Sequence, residues 1–305
     1  MKGTGRADSV FTLSGKRSLL PLVLLAIGLV LITLQFVSNV GGYVKALLVP
    51  VEYPLTYEFP TYDSLLKRCV SGDLVGYKVL ANSPDLNQAV DELERINPSR
   101  LATPRDRLAF WINAYNLLVL KNIADHYPMK SVRDVDHFMS LRKFVIGGVP
   151  YSVEDIQRRE IMPMLKRTDS MAIFLMCGGA MGYPPLIDHA ISAARLDDDM
   201  KFAVYDFVNN PKNVSFDIDT GTFLISRFFN WYQDLLVKDF DNPFEFANAH
   251  LAPFKRVPVA DKRILKVFMP QFNWWLNDIE LKGMDEPRED GGADIENLIL
   301  EQSSE

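Results

Sequence analysis

A chain of 305 residues that is 48% hydrophobic, 24% charged and 11% aromatic can bury a core of its own, which excludes wholesale disorder. A net charge of −6, with no run of Lys or Arg longer than a pair, leaves no electrostatic footprint for a phosphate backbone and argues against nucleic acid as a partner. Two cysteines cannot frame a disulfide scaffold, and the 18 prolines and 17 glycines follow no repeat period.

The first predicted element is apolar. Residues 19–37 carry no charge, and as a helix they would reach about 29 Å, close to the hydrocarbon thickness of a bilayer. Lys2, Arg6, Lys16 and Arg17 precede this run and only Lys45 follows closely, so the positive-inside rule places residues 1–18 in the cytoplasm and the rest of the chain outside it. A cleaved signal peptide is the alternative. The run exceeds the usual signal-peptide core and ends at Phe36-Val37-Ser38-Asn39 without a clear small-x-small site, which favours an uncleaved anchor and a bilayer partner for 19–37.

Residues 38–60, with the string VPVEYPLTYEFP, suit an extended stalk, and 61–279 have the size of one domain. Thr103-Pro104-Arg105-Asp106 reads as a capped helix start, and the uncharged body Leu108 to Leu120 predicts a central buried helix. Gly147-Gly148 between two short apolar runs predicts a hairpin over 143–152. Ser152 to Asp155 then opens a helix that Pro163 should end or kink. The continuous apolar run Met171 to Cys177 reads as a buried strand stopping at Gly178-Gly179. An amphipathic helix follows from Leu196 to Val208, opened by Asp197-Asp198-Asp199, which reads as a solvated start. A second hairpin spans Val214 to Ile225, with Ser226 capping the next helix. Nine acids against Lys282 and Arg288 predict a disordered tail over 280–305, with a short helix allowed near Ile295 to Leu300. Helices and short hairpins without regular βαβ alternation give an α+β domain that is helix-rich with a small sheet.

Four strings carry a resemblance: FWINAYNLLVLKNIADHYPMKSVRD at 110–134, LMCGGAMGYPPL at 175–186, LISRFFNWYQDLL at 224–236 and FNWWLN at 272–277. Together with VGYKVL at 75–80 and the GGVPYSVEDIQ hairpin, they resemble the domain of unknown function 547 family over about 62–278. The resemblance implies a fold that could be papain-like or transglutaminase-like. It also exposes departures. Where many bacterial members carry a His, this chain has Ala172; the turn Gly182-Tyr183-Pro184-Pro185 is one residue longer and lacks its Cys; and the closing phrase carries Phe272, Asn273 and Trp275.

Cys177 is the candidate nucleophile, because glycine-loop N–H groups beside a thiol can lower its pKa and bind an oxyanion. His250 and then Asn273 or Asn277 follow in the Cys, His, Asn order of papain-like sites. Against that, Cys177 is equally a small buried hydrophobe, and a third possibility is a Cys69–Cys177 disulfide. Asn113 and Asn116, one turn apart on the apolar helix, need partners and would either line a cleft or pin neighbouring backbone. Trp111, Tyr115, Trp231, Tyr232 and Trp274 form a candidate aromatic wall, although the spacing of Trp111 and Tyr115 is equally that of a core stripe, and Tyr183 is a further candidate binding residue. Histidines 126, 137, 189 and 250 form no metal-binding spacing and there is no Cys-x-x-Cys, so no metal or cofactor is expected. Asn213-Val214-Ser215 would be a glycan acceptor only in a eukaryotic secretory route. The expectation is a single-pass anchored domain, outside the cytoplasm, that binds an unidentified protein or small molecule. The alternative is a hydrolase or acyl transferase using Cys177.

Overall fold

The computed structural model describes residues 24–30, 33, 44 and 50–284, apart from 141, 168, 239 and 258–265. Two compact units separate at Gly41, Met1–Gly41 and Gly42–Glu305. In the first, residues 24–30 are helical, with Leu24, Leu25, Ile27, Leu29 and Val30 exposed. Most of the expected span 19–37 lies outside the described residues, and no helix among those described is long and apolar enough to cross a membrane. The expected tail helix near 295–300 also lies outside them.

The second unit is a mixed α+β domain whose helices outweigh three small sheets. Residues 52–59, expected as stalk, run extended along it: the Glu52 N–H donates to the Arg95 carbonyl and the Ala102 N–H to that of Leu55, while the Phe59 ring packs on Phe110. Helix α1 (Pro60–Cys69) leads through a short hairpin, β1 (Val70–Ser71) and β2 (Leu74–Val75), into α2 (Tyr77–Ala81) and α3 (Pro84–Arg95).

The axis of the domain is α4 (Pro104–His126). Thr103 and Asp106 form a reciprocal capping box at its start, satisfying two backbone donors that the helix leaves open. Seventeen of its 23 residues are buried, which an uncharged body apolar nearly all round requires.

The glycine-centred hairpin forms as β3 (Phe144–Ile146) and β4 (Val149–Tyr151), paired antiparallel. Ser152 and Asp155 close a second capping box at the start of α5 (Val153–Asp155). Lys143 reaches the same carboxylate. Burial pushes the Asp155 carboxyl upward, but the Lys143 and Ser152 hydrogen bonds outweigh it and bring the pKa down to about 2. The chain continues through a π-helical stretch, Ile156–Ile161, into α6 (Met162–Leu165). Pro163 therefore neither ends nor interrupts the helix where expected, because it falls in the first turn of α6, a position that tolerates a missing N–H.

One expected element is replaced. Met171 to Cys177 is not a strand: Ser170–Leu175 is a 3₁₀-helix, and only the residues after it extend. A fully buried apolar run has no period to distinguish helix from strand. Here the run packs against α7 (Leu196–Asn209), placing Phe174 between Phe207 and Phe246. The acidic start of α7 also differs from expectation, since Asp199 is buried and accepts from His189 Nε2 at 3.1 Å, whereas Asp197 pairs with Arg105.

The second hairpin pairs β5 (Val214–Asp217) with β6 (Thr222–Ile225), and β7 (Lys266–Phe268) adds in parallel to β6. Ser226 caps α8 (Arg227–Trp231), which breaks at Tyr232 before α9 (Gln233–Leu236); α10 (Pro243–His250) follows.

The closing segment 273–278 staples the domain together. The Val75 N–H donates to the Asn277 carbonyl, Leu276 N–H to Lys130, Met181 N–H to Trp275, Gly182 N–H to Asn273 and Asn277 N–H to Gly179. Five backbone bonds thus join pieces from β2, the end of α4 and the turn after Cys177.

Candidate functional site

Cys177 sits where the 3₁₀-helix gives way to the glycine turn, and its position is fixed from α4. Asn116 Oδ1 accepts the Cys177 N–H at 2.9 Å while its Nδ2 donates to the Leu175 carbonyl at 2.8 Å. One turn earlier Asn113 does the same for Ile191, with bonds of 2.9 and 2.8 Å. Both asparagines are buried and pin loop backbone. A side-chain amide offers one donor and one acceptor side by side, the pattern a neighbouring strand would present.

The thiol itself is 1% exposed. The Gly179 N–H donates to Sγ at 3.4 Å, and Asn277 Nδ2 lies 4.0 Å away. Burial pushes the thiol up to about 11, outweighing the downward pull of these two donors. The phenols of Tyr62, Tyr77 and Tyr115 are held well above their ordinary value, chiefly by burial, and each is close enough for thiolate charge to add to the effect. Tyr77 donates to Asn277 Oδ1 at 2.7 Å, which orients the amide nearest the sulfur, whereas the Tyr62 hydroxyl has no hydrogen-bond partner among the described residues.

His250 does not complete a dyad. Its Nδ1 donates to the Phe246 carbonyl at 2.7 Å and its ring lies on Phe246, centroids 4.3 Å apart. Among the described residues no histidine hydrogen-bonds to the thiol. Asn273 Oδ1 accepts from the Trp275 N–H and so shapes the closing segment. The Cys69–Cys177 disulfide is also absent, both cysteines being free and buried.

An open cleft of about 110 Å³ lies beside the thiol loop. Its walls come from Ala180 to Tyr183, from Asn210 to Asn213, from Ser226 and Arg227, and from Pro270 to Asn273, with Asp73 and Asn277 completing it. Tyr183, Asn273 and Asn277 from the sequence reading therefore share one cleft. Trp231 and Trp274 stand next to it through Phe272, whose ring is 4.5 Å from Trp231, 4.6 Å from Trp274 and 5.0 Å from Tyr183. Arg133 caps this cluster, its guanidinium 4.5 Å over Trp274. Trp111 and Tyr115 do not line the cleft but are buried in the core, Trp111 against Phe110 and Tyr151 and Tyr115 near the thiol. A glycine is required at 178 because a Cβ there would enter the Tyr183 ring, and at 182 because it would meet Phe272 at 2.7 Å.

Asp73, Lys212, Arg227 and the nearby Asp206 were not singled out by sequence reasoning. Each stands alone in its own segment, and the chain carries them to one place only by folding. The Asn213 side chain is buried and donates to the Phe207 carbonyl at 3.2 Å, which withdraws it as a glycan acceptor.

Residues 98–208 match the family model described as protein of unknown function, DUF547. The DUF547 match spans α4, the β3–β4 hairpin, the thiol loop and nearly all of α7, and it supports the resemblance read from the sequence. It stops short of the closing segment 273–278 and of the arginine and lysine of the cleft. No curated protein and no solved structure matches the chain.

Proposed function

We propose that this chain is a non-catalytic ligand-binding domain, held to a membrane through residues 19–37 with its N-terminus cytoplasmic and its folded part outside the cytoplasm. The observation that carries the binding reading is the contrast between a sealed thiol and an open cleft beside it. A thiol pushed up to about 11 is ionised in only about one molecule in ten thousand at pH 7, and among the described residues it has no base within hydrogen-bonding reach. The anchor rests on the charge-free run 19–37 and the basic residues before it. The loss of the family's polar groups at 172, 182–183 and 273 is in keeping with binding rather than turnover.

A second reading, a cysteine-dependent hydrolase or acyl transferase, is favoured by one observation: the Gly179 N–H and the Asn277 amide both address Sγ. The two readings part in one experiment. Iodoacetamide labelling of the folded full-length protein across pH 6 to 11, read at Cys177 by mass spectrometry, is expected to stay slow until the pH approaches the thiol's own value. Fast labelling near pH 6, together with an acyl-transfer or hydrolytic activity abolished by Cys177→Ala, would overturn the binding reading. The anchor is tested by alkaline carbonate extraction, in which the protein is expected to remain in the membrane pellet and its release would reject the span.

A further inference from the structure

The ligand-binding reading leaves the ligand's chemistry open, and the cleft's unclaimed groups narrow it. Most of its neutral polar side chains are already engaged. Asn210 Oδ1 accepts from the Lys212 N–H, Asn213 donates to Phe207, Ser226 accepts from Phe228, Asn273 accepts from Trp275, and Asn277 holds Tyr77 and the Asp73 carbonyl. Three charged groups are not. Arg227 Nε donates to the Pro270 carbonyl at 3.0 Å, which fixes the plane of the guanidinium and leaves its two terminal nitrogens without a partner among the described residues. Lys212 and Asp73 line the same cleft and are exposed, and neither the ammonium nor the carboxylate has a hydrogen-bond partner among those residues.

A guanidinium held in plane with a free two-nitrogen edge is matched to a planar carboxylate, which it binds by two parallel hydrogen bonds. A second cation beside it strengthens that preference. The carboxylate of Asp73 disfavours a purely anionic ligand and calls for a cationic group on the same molecule. Asp206 reinforces this: burial and then the charge of Asp73 raise its carboxyl, so the two acids share one neighbourhood. The Tyr183 and Phe272 rings supply an apolar wall. A cleft of about 110 Å³ is well above the roughly 10 to 15 Å³ that admits a single water and below the range of drug-sized pockets, so the ligand is small.

We infer that the cleft binds a free apolar α-amino acid, its carboxylate on Arg227 and Lys212, its ammonium on Asp73, and its side chain against Tyr183 and Phe272. The inference rests on the cleft being the binding site, and its test is built to fail separately from that reading. Calorimetric titration of the full-length protein with L-leucine is compared with two isosteres that each lack one charge, 4-methylpentanoate and 3-methylbutylamine, and with inorganic phosphate. Leucine is expected to bind at least about tenfold more tightly than any of the other three, the size of one charge-assisted pair. Arg227→Gln should weaken leucine and 4-methylpentanoate alike and leave the amine unchanged, while Asp73→Asn should weaken leucine and the amine and leave the carboxylate unchanged. Arg227→Lys, which keeps the charge and loses the fork, should fall between wild type and Arg227→Gln and guards against a folding artefact. Equal binding of leucine and 4-methylpentanoate, or of phosphate, would make the cleft a plain anion site and overturn the inference while leaving the binding reading intact. No heat with any of the four probes would overturn it too, and the fate of the binding reading would then be decided by Cys177 labelling.

Discussion

Two regions of this domain handle polar groups in opposite ways. Along α4, the buried asparagines complete loop backbone: Asn113 holds Ile191, Asn116 holds Leu175 and Cys177, and Asn122 donates to the Phe138 carbonyl. In the cleft a few residues away, the charged side chains Asp73, Lys212 and Arg227 face solvent with hydrogen-bonding capacity left over. Burial explains the difference. A buried amide without partners costs about 1 to 3 kcal/mol per group, so the interior engages most of its polar atoms, with the Tyr62 hydroxyl and Asn122 Oδ1 as exceptions among the described residues, whereas the cleft can hold its unused donors because water satisfies them. An Asn on an apolar helix is therefore as readily a partner for loop backbone as a binding residue.

The comparison breaks most severely at Asn116. Replacing it with Leu strands the Cys177 N–H and the Leu175 carbonyl in an apolar interior, and urea unfolding should register a loss of about 2 to 4 kcal/mol. An unchanged midpoint would mean that water reaches these groups. Gly178→Ala comes next. The added methyl must push the Tyr183 ring toward the cleft, which should lower stability by about 1 to 3 kcal/mol and alter the near-ultraviolet dichroism of the aromatic cluster. A full-strength aromatic signal would show that the ring has another seat.

Alkaline titration separates the regions more gently. The folded thiol's value of about 11 exceeds the ordinary 9.0, so below pH 9 both states keep the proton and the fold loses nothing. Above it the unfolded chain sheds the proton first, and stability should decline between about 9 and 11. Cys177→Ala should remove that part of the decline, measured as the difference between wild-type and variant unfolding curves. The smallest effect belongs to Lys212→Gln. An exposed side chain without a hydrogen-bond partner among the described residues should change stability by less than about 0.5 kcal/mol, and a larger loss in thermal melts would place it in a structural pair instead.

Much of the frame was legible from local chemistry. The Thr103 box, the charge-free helix body, the glycine hairpin at 147–148 and the Ser152 and Ser226 caps each rest on interactions within a few residues, so sequence alone suffices for them. The run 171–177 was misread because an unbroken apolar string reports burial and not conformation. Asp199 was readable in principle: it lies on the same helical face as Leu196, Met200 and Ala203, all buried, and only the company of Asp197 and Asp198 suggested a solvated stretch. Of the cleft, only Tyr183, Asn273 and Asn277 were legible, and its charged residues were not. Its walls come from separate stretches between 73 and 277, of which the backbone bonds of the closing segment tie down only the turn 179–182 and the strand beside Asp73, and no spacing along the chain encodes them.

The amide pairs carry a consequence for how this fold can change. Asn248 binds Val257 through both its donor and its acceptor, as Asn113 does Ile191, so the device recurs away from α4. Hydrocarbon positions can trade Leu for Met or Ile and repack. A position that must give one hydrogen bond and take another at a fixed reach has almost no substitute: Asp loses the donor, Ser the span, and Gln overshoots by a carbon. The mutational freedom of the domain is therefore uneven, wide over its apolar bulk and nearly closed at a handful of asparagines. Slow conversion of those asparagines to aspartate with age would damage the fold from within.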